Sequence, residues 1–205
     1  LYDISQTTMS ESPQPQTAMD ERLLIRALIN NPPASIVTAE PDQMPEDKGA
    51  IFEPEENCIY VRKGMNAQEI FQCLTPELAL AGFADGDPEY DRNEDAFHAY
   101  CASYMLCKKY GIDTQAYDFS YAPAFLEGME PQEVRAELSK AREAANTISS
   151  RMAKVFEQNR MNQRQQEQTG QNREEGRNRE NGPEREIGQN QTHMQGREPG
   201  QPRGN

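Results

Sequence analysis

In Met65-Asn66-Ala67-Gln68-Glu69-Ile70-Phe71-Gln72-Cys73-Leu74-Thr75-Pro76-Glu77-Leu78-Ala79-Leu80-Ala81-Gly82-Phe83, the apolar residues Phe71, Leu74, Leu78 and Ala81 recur at spacings of three and four. That period places them on one face of an α-helix and predicts a helix packed against a core, with Glu77 flanking the apolar stripe. Thr75-Pro76 complicates it. A proline inside a helix removes a backbone hydrogen bond and costs about 3 kcal/mol, whereas Thr as N-cap with Pro at the first position opens a new helix well. The expectation is a kink or restart at Thr75, with Glu77 in the favourable field of the new helix start.

Upstream, Asp20 is a good N-cap for a short helix whose face is Leu23, Leu24, Ala27 and Leu28, stopped by Asn30-Asn31-Pro32-Pro33. Ser35 to Ala39 is a β-branched run that reads as a strand, and Glu40 to Lys48 is a charged loop with two prolines. Ala50 to Glu53 and Cys58 to Arg62 flank the polar turn Pro54-Glu55-Glu56-Asn57 and read as a β-hairpin that ends at Gly64.

Downstream, Ala84 to Asp91 is an acidic loop. Asn93 to Tyr110 reads as a buried helix with Phe97, Cys101 and Tyr104 on one stripe, closed by Gly111 and carrying Glu94, Asp95 and His98 at its start. From Pro131, Val134, Leu138, Ala141, Ala145, Ile148, Met152 and Val155 alternate steps of four and three, a heptad seam. Such a seam either packs inward across the domain or meets a protein partner in a coiled coil. Beyond Arg160 there is no aromatic residue, and only Met161, Ile187 and Met194 are sizeable apolar side chains. That segment is expected to be a disordered low-complexity tail, in which any helix past Met161 is marginal.

The fold class is therefore α+β: a small antiparallel or mixed sheet with a hairpin packed on helices, a long C-terminal helix and a disordered tail. Residues 1–17 read as the end of an upstream domain and a linker, 18–160 as the folded domain and 161–205 as the tail.

The formal net charge is −13, and residues 1–160 hold 14 Lys and Arg against 27 Asp and Glu, while the tail is balanced. An acidic body with no basic patch repels phosphate backbones, which argues against direct nucleic-acid binding by this segment. Cys58, Cys73, Cys101 and Cys107 show no C-x-x-C spacing and suit reduced, packed thiols of a cytoplasmic protein. No apolar run approaches a membrane span, and no signal peptide is evident. The chain begins at Leu1, and Tyr2-Asp3-Ile4-Ser5-Gln6-Thr7 reads like the end of a strand, so a fragment of a longer protein is expected.

A zinc-peptidase helix carries His-Glu-x-x-His, because residues four apart lie one turn above each other and aim two ring nitrogens at one metal while the Glu polarises its water. Here Glu77 keeps the Glu position, and Pro76 and Leu80 occupy the two His positions, where neither side chain can ligate zinc. A lone glutamate in an amphipathic helix is also an ordinary solvated or salt-bridged residue, so the motif depends on its surroundings.

Those surroundings carry a resemblance. Gly49-Ala50-Ile51-Phe52, Asn57-Cys58-Ile59-Tyr60-Val61, Glu77-Leu78-Ala79-x-Ala81 and Tyr104-Met105-Leu106-x-x-x-Tyr110-Gly111-Ile112-Asp113 follow one another in an order that resembles the zincin-like metallopeptidase domains of ArdC-type antirestriction proteins and related proteins of conjugative elements. The likeness leaves out the tail and departs from the family pattern at Pro76 and Leu80. It implies zinc in the family and a third, acidic ligand on the following helix, where Glu94 or Asp95 stands, or Tyr100 in another register; His98 offers a further nitrogen. With both His positions lost, the resemblance implies a degenerate domain with a vestigial Glu77, no metal cofactor and no peptidase activity, serving as a structural or interaction module. The alternative is an active zinc peptidase with a non-standard ligand set drawn from Glu77, Glu94, Asp95 and His98.

Overall fold

The structure, a computed structural model, describes residues 20–180, with side chains for 20–166. The expected upstream strand and linker lie outside those residues, as does the tail from 181. The elements are α1 (Glu21–Leu28), β1 (Ser35–Ala39), β2 (Ala50–Glu53), β3 (Cys58–Arg62), α2 (Ala67–Ala84), α3 (Ala96–Tyr110), a single turn α4 (Ala122–Phe125) and α5 (Pro131–Glu180). The class is α+β. The chain forms two compact units, Leu1–Asn162 and Gln163–Asn205, and the sheet with α1 to α4 belongs to the first.

The sheet is mixed and ordered β1-β3-β2, with β1 parallel and β2 antiparallel to β3. In the hairpin Phe52 stands opposite Ile59, and both side chains are buried. Helix α2 packs on β2 and β3 with one flank and on α3 and α1 with others, so it is the centre of the core. Phe71, Leu74, Leu78 and Ala81 are all buried there, as their spacing requires.

Local chemistry sets the ends of these helices. Asp20 accepts from the Arg22 N–H at 3.0 Å and starts α1. Asn66 and Glu69 form a reciprocal capping box at α2, with side chain to backbone distances of 3.0 and 2.8 Å. Helix α3 ends at Gly111 in the left-handed region, φ 72°, where the Ile112 N–H donates back to Cys107 O at 2.9 Å.

Three expectations are corrected. First, α2 does not restart at Thr75 but runs unbroken through Pro76. Thr75 is no N-cap: its buried hydroxyl donates to Phe71 O at 2.9 Å within the helix and lies 2.6 Å from Ser103 Oγ on α3. Burial of the apolar stripe on both sides of Pro76 outweighs the lost bond. Second, α3 starts at Ala96, because Asp91 and Asn93 close a turn before it. Third, α5 continues past Arg160 to Glu180. Residues 161–180 contain no proline and are dense in good helix formers.

The seam on α5 divides. Ala141, Ala145, Ile148 and Met152 are buried in the domain core, Val134 and Val155 are half-buried, and Leu138 is 46% exposed. Among the described residues no helix is long and apolar enough to cross a membrane.

Candidate functional site

Glu77 points from α2 to the hairpin, not to bulk solvent. Gly49 O accepts from the Arg62 N–H, which turns the backbone groups of alternate β2 residues toward β3 and those of Phe52 outward. Glu77 Oε2 accepts from the outward Phe52 N–H at 2.8 Å. Arg92, from the loop after α2, donates through Nη2 to both Glu77 oxygens at 3.0 Å and through Nη1 to Phe52 O at 3.4 Å. Carboxylate and guanidinium together therefore occupy the free edge of β2 as a neighbouring strand would, one accepting and one donating.

Glu77 is 7% exposed. Burial pushes its carboxyl up from the ordinary range, by more than Arg92 and the Phe52 N–H draw it down. Its ionised form needs Arg92, and Arg92 is the one basic residue between Asp85 and Asp95, among six acidic ones. That lone cation in an acidic loop is the sequence signal for the pair, and no helical or strand spacing links it to Glu77.

The other candidate residues gather elsewhere on α3. Asp95 and His98 are buried, and His98 Nδ1 lies 2.9 Å from Asp95 Oδ1. His98 Nε2 lies 2.5 Å from Glu137 on α5, and Lys140, one turn further along α5, pairs with Asp95. Tyr90 donates to the remaining Asp95 oxygen at 3.0 Å. Burial pushes the Asp95 carboxyl up, but the hydrogen bonds from Lys140 and Tyr90 and the Lys140 charge outweigh it and hold the carboxyl below its ordinary range. Phe83, Phe97 and Phe125 surround the imidazole with edge-on contacts at 6.0 to 6.2 Å between ring centroids. This cluster clasps the start of α3 to α5, and neither Glu137 nor Lys140 was legible as its partner.

Glu77 shares no hydrogen bond with Glu94, Asp95 or His98, and Glu94 is exposed. Pro76 is half-buried, while Leu80, 4% exposed, is part of the hydrophobic core. Among the described residues no three His, Cys, Asp or Glu side chains converge on a point suited to a metal ion. The imidazole lies between its two carboxylates, one nitrogen committed to each. The donor set around Glu77 therefore does not fit the zinc site that the family resemblance implies: the two positions beside it carry no donor atom, and its own oxygens are held by Arg92 and Phe52. All four cysteines are free thiols. No protein-family model matches the chain, and neither a curated protein nor a solved structure does.

Proposed function

We propose that the chain is a degenerate zincin-like domain of a mobile-element protein, without peptidase activity, working in the cytoplasm as a structural or interaction module. The observation that carries this reading is the Glu77–Arg92 pair on the edge of β2. A glutamate that polarises a metal-bound water needs a free oxygen facing an open metal position. Here both oxygens are taken by a guanidinium, and one also by the strand. The cation beside Glu77 is supplied by the chain itself.

In this reading, the glutamate keeps the position it has in the resembling family and changes its work. It joins α2 to β2 and closes a strand edge that would otherwise pair with other chains. A partner surface is offered by the start of the α5 seam, Val134 and Leu138, where the seam is not used up by the core.

The test is metal content by mass spectrometry on protein purified without a metal-binding tag, comparing the native chain with Glu77→Gln and His98→Ala. The expected result is no stoichiometric zinc in any of the three. Near-stoichiometric zinc in the native chain that disappears in His98→Ala would replace this reading with the zinc peptidase of non-standard ligands.

A further inference from the structure

The two edges of the sheet end differently. Glu77 and Arg92 take up the outward backbone groups of Phe52 on β2, so that edge is closed. On β1 the Ser35 N–H donates to Asn57 O, and Ala39 O accepts from the Lys63 N–H. Alternation along a parallel ladder then turns the backbone groups of Ser35, Val37 and Ala39 toward β3 and aims those of Ile36 and Thr38 away from the sheet. Among the described residues nothing hydrogen-bonds to the Ile36 and Thr38 backbone groups.

Proteins protect such an edge with a charge, a proline, a bulge or a covering segment. The strand Ser35-Ile36-Val37-Thr38-Ala39 has no charge and no proline, and its register with β3 runs one to one without a bulge. Val37 is 46% exposed. Ile36 turns inward to the core, so Val37 lies on the opposite face of the sheet. There it stands opposite Tyr60, which stands opposite Ile51, and both are half-buried. The three form an apolar row that crosses the sheet and stops at the open edge.

The prolines around β1 are placed symmetrically about Val37. Pro33 and Pro41 each lie four positions from it, and a proline has no N–H to add to a ladder. A copy laid antiparallel with Val37 against Val37 therefore reaches its limits at both ends together, Pro33 facing Pro41. In that register Ile36 and Thr38 of one copy face Thr38 and Ile36 of the other as hydrogen-bonded pairs, and each outward N–H meets a C=O. The two Val37 side chains meet in the closer, non-hydrogen-bonded pair, about 4.5 Å between Cα atoms, and the two apolar rows join. No like charges are set side by side, since the strand is uncharged and Glu40, next to it, pairs with Lys63. Repulsion at the contact is thereby avoided in a chain of net charge −13.

We propose that the open edge of β1 receives β1 of a second copy of this chain, antiparallel and two-fold about Val37, giving one sheet in the order β2-β3-β1-β1-β3-β2. The closed β2 edge stops further growth, so the product is a dimer and not a fibre.

The experiment is sedimentation of the full chain over a concentration series, joined to amide hydrogen exchange. The native chain is expected to pass from monomer to dimer, and the amides of Ile36 and Thr38 to gain protection with concentration while those of Val37 and Ala39 are protected throughout. Val37→Lys and Val37→Glu, each alone, are expected to weaken the dimer at least about tenfold with an unchanged melting temperature, and an equimolar mixture of the two to restore it. Leu138→Lys is expected to leave this dimer intact. A native chain that stays monomeric up to about 1 mM overturns the proposal, as does a mixture that associates no better than either variant alone. Protection of Ile36 and Thr38 that is equal in dilute and concentrated protein would place a segment of the same chain on the edge and overturn it too. A dimer lost in Leu138→Lys and kept in Val37→Lys would move self-association to α5. None of these measurements reads metal content, so the dimer and the loss of peptidase activity stand or fall separately.

Discussion

Glu77 and Asp95 are both buried carboxylates, and their surroundings move them in opposite directions. The Glu77 carboxyl is raised, so its contribution to stability is present below the ordinary carboxylate range, near pH 4 to about 4.5, and is lost as pH rises through its raised value. The Asp95 carboxyl is depressed, so its contribution is present above that range and is lost as pH falls through its lowered value. Urea denaturation from about pH 3 to about pH 7 should show that Glu77→Gln removes a component falling with pH, while Asp95→Asn removes one rising with pH. The same sign for both would contradict the assignment of desolvation to one and of Lys140 and Tyr90 to the other. Arg92→Ala should cost about 1–3 kcal/mol at neutral pH by leaving the Glu77 carboxylate buried without its cation. Adding Glu77→Gln to it should recover part of the loss, and strict additivity in that double-mutant cycle would mean that the pair is not coupled.

At the scale of elements, α2 is the case where two local signals disagreed. The Thr75-Pro76 pair is a good helix start, and the apolar period across it is a good continuous helix. Continuity prevailed because Phe71, Leu74, Leu78 and Ala81 are buried on both sides of the proline, and a restart would turn half the stripe away from the sheet. The Thr75 hydroxyl, bonded to Phe71 O and facing Ser103, ties the turn before Pro76 to α3. Pro76 still denies Gln72 O its helical donor. Pro76→Ala should therefore raise stability by about 1–3 kcal/mol, read as a higher melting temperature. An unchanged or lower value would show that the surrounding core has adapted to the ring.

For the whole molecule, the seam on α5 separates a core role from a partner role. Ile148 is 3% exposed and Leu138 is 46% exposed. Ile148→Lys should unfold the domain, because a buried ammonium without a partner costs several kcal/mol. Leu138→Lys should leave the melting temperature within a few degrees and abolish any self-association or partner capture through the start of α5, measured by light scattering and by co-purification. Loss of the fold in Leu138→Lys would make the entire seam core. The sequence by itself determined the elements: the ranges of β1, β2 and β3, the Asp20 cap, the Gly111 stop, the α+β class and the long C-terminal helix. Period, capping and turn chemistry act over a few residues and so are written in short windows. Tertiary structure alone decided that Arg92 holds Glu77 against Phe52, that Glu137 and Lys140 close on His98 and Asp95, and that α2 runs through Pro76. Those pairings join residues 15 to 45 positions apart, where no local period reaches, and they follow from which faces the core brings together.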